Sequence, residues 1–174
     1  GNVAIKDVMR EFNTFSAHPI LNTTGIHDPV EDPVNAPRHV ECVDCHNPHA
    51  ANSTPAVVPG ASGALAGVSG ITAAGTFIKP VTRQYELCYR CHGDSVARGA
   101  AYVTRQFVQT DTRLEFTSEN KSYHPIVAAG RNPQVPSLIQ PLTPAHLIYC
   151  TDCHNNNAGP RAGGSGPDGP HGSA

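Results

Sequence analysis

Cysteine occurs in this chain only in pairs, and each pair is followed at once by histidine. CVDCH ends at His46, CYRCH at His92 and CTDCH at His154. The six cysteines are therefore three copies of one unit: Cys42/Cys45, Cys88/Cys91 and Cys150/Cys153. A disulfide framework has no reason to repeat a single spacing in this way. Whatever these units hold must dictate how the chain folds around it.

The spacing carries its own chemistry. Cysteines three apart lie on one side of a helical turn, and neither Pro nor Gly stands between them at any of the sites. From one turn, two sulfurs can bond the two vinyl groups of one porphyrin, and the adjacent histidine can reach its iron. C-x-x-C-H is the attachment signature of c-type haem. A lone C-x-x-C also serves zinc half-sites and thiol redox pairs, but neither requires histidine after the second cysteine every time. The motifs predict three haem c groups, with thioethers to all six cysteines and His46, His92 and His154 as proximal iron ligands.

Composition agrees with a core that is not made of polypeptide. Aromatics are 6%, Trp is absent and Met occurs once, whereas Gly and Pro number 16 each. The apolar residues are weighted to Ala and Val, which bury little area, so side-chain burial alone struggles against the entropy of ordering. The expected fold is a mostly irregular, coil-rich multihaem cytochrome with a few short helices, room for a small β-hairpin, and haems as its core. Residues 1–174 are read as a single trihaem domain. The net charge of -2 with 15% charged residues gives no footprint for nucleic acid, and no apolar run suggests a transmembrane segment. The start, GNVAIKDVMR, opens on Gly1 without a signal-like apolar core. It has the form of a processed N-terminus or of a cloned fragment.

The chain contains a partly hidden repeat. SAHPI (Ser16 to Ile20) matches SYHPI (Ser122 to Ile126), PRHVECVDCHN matches PAHLIYCTDCHN, and NPHA at His49 resembles GPHGSA at His171. The middle motif belongs to neither copy. Three proximal histidines out of ten leave seven, and the sole methionine, Met9, cannot serve three irons. His/His ligation is expected, with distal candidates in the order His124, His18, His49, His39, His146 and His171, and His27 last. His18 and His124 lead with His49 because each of the two precedes Pro, which holds it on an extended segment. His49 and His39 lie too close to His46 to serve the same iron and suit a neighbouring one.

Two further stretches frame the motifs. Residues 50–80, an Ala/Gly-rich insert, are too broken by glycine for a stable helix. They read as a surface loop covering haem, or as a docking surface or short β-hairpin. Residues 100–116 partly alternate and read as a strand pair or short helix. The Gly/Pro-rich tail, 156–174, reads as extended.

On the words HVECVDCHNPH, ELCYRCHGD, SYHPI, CTDCHN and GPHGS, which with the repeat word SAHPI run from Ser16 to Ser173, the chain resembles multihaem cytochromes c of the doubled-CXXCH or cytochrome c3-like group. It departs from the four-haem c3 pattern by its three motifs and long insert. The resemblance implies electron transport without catalysis. It implies a place outside the cytoplasm, extracellular or at the cell surface, with the periplasm as the alternative. It also implies other redox proteins or an extracellular electron acceptor as partners. Some relatives polymerise, so self-association into a head-to-tail filament is expected, with a terminal histidine such as His18 ligating across the joint. The competing reading is a subunit of a multihaem oxidoreductase acting on nitrogen or sulfur oxyanions. That activity requires one iron with an open axial position, and the surplus of histidines argues against it.

Overall fold

Short helices and two-residue strands joined by long irregular segments make up the structure, a computed structural model that describes residues 6–20, 40–93 and 104–174. In chain order the regular elements are α1 (Val8–Phe12), β1 (Ser16–Ala17), α2 (Cys42–Cys45), β2 (Gly70–Ile71), β3 (Phe77–Ile78), α3 (Gln84–His92), α4 (Thr112–Glu115), α5 (Cys150–Cys153) and β4 (Gly172–Ser173). The coil-rich architecture matches the expectation from composition. Contacts divide the chain into two compact units, one comprising Gly1–Cys42 with Thr151–Ala174 and the other Val43–Cys150. No helix among the described residues is long and apolar enough to cross a membrane.

In the larger unit the Ala/Gly-rich insert forms the hairpin. β2 and β3 pair antiparallel, Gly70 with Ile78 and Ile71 with Phe77. Gly75, at φ +79°, supplies the left-handed residue of the turn between them. α3 packs on β2. Its first turn is closed by Glu86, whose carboxylate accepts from the backbone amides of Thr82 (2.7 Å) and Arg83 (2.9 Å). Tyr85 and Tyr89 of α3 are buried with Ile126, and Ile71, Phe116, Ile148 and Cys150 pack against that cluster. Tyr149 adds a polar anchor, donating its hydroxyl to the Gly60 carbonyl at 2.7 Å.

The fit between hairpin and helix is tight at Gly70, where a Cβ would lie 2.5 Å from the Glu86 carbonyl oxygen and 2.6 Å from Val81 Cγ1. Gly70→Ala should therefore destabilise the protein by about 1–3 kcal/mol, the usual cost of overpacking, measured by denaturant unfolding. Residues 104–111 form no strand, and the described part of the stretch read as a strand pair or short helix forms the short helix α4. Asp111 caps that turn through Arg113 N at 2.9 Å.

The smaller unit joins the two ends of the chain. α1 is capped by Asp7, which accepts from Arg10 N at 3.2 Å. β1 and β4 pair antiparallel, Ser16 with Ser173 and Ala17 with Gly172. The tail is not extended as expected. It forms a 3-10 turn at Pro160–Ala162 and folds around Asn156, a residue 1% exposed. The Asn156 amide donates to the Pro167 carbonyl at 2.8 Å and its side-chain oxygen accepts from Ala158 N at 2.7 Å. A side-chain amide with both ends satisfied substitutes here for the apolar anchor that the tail lacks.

Candidate functional site

All three Cys-x-x-Cys pairs lie on helix. α2 and α5 consist of little else, and the second pair occupies the last turn of α3, which ends at His92. The expectation of a helical turn at each motif therefore holds. Both sulfurs of a pair sit on one side of a turn, with the histidine directly after them.

The middle motif is tied to both of its neighbours by the two residues between its cysteines. Arg90 grips the first motif: its guanidinium donates to the Asp44 carbonyl at 2.8 Å and forms an ion pair with the Asp44 carboxylate at 3.0 Å. Tyr89, 2% exposed, lies in the cluster against which Cys150 of the third motif packs. The Cys88 thiol donates to the Gln84 carbonyl at 3.7 Å. Interaction with the Cys150 sulfur, followed by burial, pushes Cys88 well above the ordinary thiol range, while the same interaction lowers Cys150. Cys45 is near enough to raise Cys88 further. Burial raises the Tyr89 phenol, and Cys150, Tyr85 and Cys88 add to the shift. One cysteine from each motif thus belongs to a single neighbourhood in the larger unit. The repeat-related aspartates behave alike: Asp44 pairs with Arg90, and Asp152 of the third motif pairs with Arg161.

The histidines are held in different ways. His46 Nδ1 donates to the Ala64 carbonyl at 3.0 Å, which leaves the lone pair on Nε2, the tautomer a metal-bound imidazole needs. His18 Nδ1 donates to the Pro170 carbonyl at 2.9 Å in the same manner. His124 is exposed, with the edge of its ring towards Phe116 at 6.4 Å. It and His18 occupy identical three-residue turns: Ile20 N donates to His18 O and Ile126 N to His124 O, both at 2.8 Å. The repeated His-Pro word thus has one local conformation in both copies. His49 is exposed beside the turn at Asn47, and His92 and His154 are exposed at their motifs. His171 meets Phe12 edge-on at 5.4 Å. His146 Nδ1, by contrast, accepts from the Thr143 amide at 2.9 Å. His27 and His39 lie outside the described residues.

The residues present fit a covalently attached haem. The donor set is two thiols and one imidazole on a helical turn, and His46 is in the ligating tautomer. Twelve large hydrophobic side chains are exposed among the described residues and six hydrophobic residues are buried, so the polypeptide supplies little core of its own. Among the described residues no group of three or more His, Cys, Asp or Glu side chains is arranged to hold a bare metal ion. The sequence reading missed the Arg90–Asp44 tie, which joins positions 46 residues apart and leaves no local signal. No family model, curated protein or solved structure matches the chain.

Proposed function

We propose that this protein is an electron carrier holding three haem c groups, without catalytic turnover of its own. The observation that supports it most is the double tie of the middle motif, Arg90 to Asp44 and Tyr89 to the cluster at Cys150, because electron hopping needs closely spaced centres. When bound, each haem supplies an iron that takes up or gives up one electron. The chain's own residues do the rest. Cys42/Cys45, Cys88/Cys91 and Cys150/Cys153 would hold the three haems by thioether bonds, and His46, His92 and His154 would ligate their irons. Arg90 and Asp44 keep the first two attachment points adjacent. Further histidines from the remaining set would ligate the irons as well, which would leave none for substrate.

The site of action is outside the cytoplasm, extracellular or at the cell surface, where C-x-x-C-H chains of this kind work. Its partners are other redox proteins or an extracellular electron acceptor, and copies of the chain stack head to tail. Oxidised and reduced spectra should both be low-spin, and carbon monoxide should leave the reduced spectrum of the native protein unchanged. A large high-spin fraction would favour the oxyanion-reductase reading instead. Electron microscopy of the native protein should show filaments; single particles at high concentration would rule out the head-to-tail stack.

A further inference from the structure

We infer that the ladder joining the two chain ends holds the axial ligands of two different haem irons, His18 for one and His171 for the other, and that His146 ligates none. This rests on the trihaem reading above. β1 and β4 pair in a register whose partner numbers sum to a constant, Ser16 with Ser173 and Ala17 with Gly172. One step further, the register sets His18 opposite His171. The His18 ring confirms the closeness, since its Nδ1 donates to the carbonyl of Pro170, the residue before His171. That bond fixes the proton on Nδ1 and the lone pair on Nε2, while Phe12 holds the His171 ring edge-on.

Two imidazoles so placed cannot serve one iron. Axial partners lie on opposite faces of a porphyrin, with their backbones pointing away from each other. These two share one ladder, whose strands are about 4.8 Å apart. Adjacent coordination positions on one iron are excluded as well, because the porphyrin fills all four equatorial sites. The ladder therefore presents one imidazole to each of two irons.

His146 has the opposite tautomer. The turn Thr143–His146, with Pro144 at its second position, is closed by His146 N donating to the Thr143 carbonyl at 2.9 Å. The ring folds back so that Nδ1 accepts from the Thr143 amide at 2.9 Å and lies 2.8 Å from its hydroxyl. The proton then sits on Nε2, where an iron ligand needs a lone pair. His146 braces a turn instead.

The test counts irons that bind carbon monoxide in the reduced, haem-loaded protein, with haem content of every variant checked by mass. The expected counts are none for the native chain, one for His18→Ala, one for His171→Ala, two for the double variant and none for His146→Ala. Gly172→Val should also give two. A side chain there would overlap the Glu11 carbonyl and sit against Thr14 Oγ1, lifting β4 with His171 and breaking the Pro170 bond that orients His18. If that variant does not fold, the single and double variants decide. One iron in the double variant, none in either single variant, or a new site in His146→Ala would overturn the inference while leaving three haems in place. A native chain without three haems would overturn both it and the reading on which it rests.

Discussion

Replacing Cys88 and Cys91 together with serine should yield a chain one haem lighter than the native protein. A hydroxyl does not add to a vinyl group as a thiol does, and His92 alone gives only a reversible iron bond. The other two motifs keep their cysteines and should remain loaded. The structural consequence should spread beyond the motif, because α3 carries Tyr85 and Tyr89, two of the three residues of the buried cluster. The same helix makes the Arg90 tie to Asp44. On the trihaem reading this variant removes the haem attached at the C-terminal turn of α3, so the larger unit should become sensitive to protease. The matching Cys42→Ser/Cys45→Ser variant should also lose one haem but leave α3 in place. An unchanged haem count in the first variant would show that the middle motif is not an attachment site.

The second large effect is expected at Asp111. Its carboxylate caps α4 through Arg113 N and forms an ion pair with Arg113 Nη2 at 2.9 Å, the two side chains being 11% and 15% exposed. Arg113 Nη1 in turn donates to the Ala73 carbonyl in the hairpin turn at 3.0 Å, and its guanidinium lies beside Gly75. Removing the carboxylate leaves a largely buried cation without its counter-charge, which costs about 3 kcal/mol or more, and it also removes the cap. Asp111→Ala should lower the unfolding free energy of the haem-loaded protein by roughly that amount. Asp111→Asn, which retains an oxygen for the cap, should be less harmful. A loss below about 1 kcal/mol for Asp111→Ala would place this pair among the weak surface bridges.

The parts of the molecule that could be read from sequence are those set by local chemistry. The helical turn at each motif follows from cysteine spacing and the absence of Pro and Gly. The hairpin was legible as one of the options for residues 50–80, since glycine there breaks helices and Gly75 supplies a left-handed turn. The repeat was legible in the sequence, and its two His-Pro words form the same turn. Long-range partners were not legible. Nothing near Asp44 announces Arg90, and the words around His18 and His171 stand at opposite ends of the chain, so their pairing has no local signature. The tail illustrates a different failure. Its glycines and prolines read as extended chain, which holds only for the two residues of β4; the rest depends on one buried amide, Asn156, that composition cannot single out. The turn at His146 had an overlooked clue, since Thr-Pro-x-His is a turn sequence whose ring can return to the first residue.

The central claim is that three covalent haems complete this protein, and denaturing mass spectrometry of the native chain tests it most directly. Thioether bonds survive denaturation, so the account predicts a polypeptide heavier by three haem masses, with all six cysteines refractory to alkylation. A chain of unmodified mass, or one whose thiols all alkylate after a metal is stripped, would contradict it.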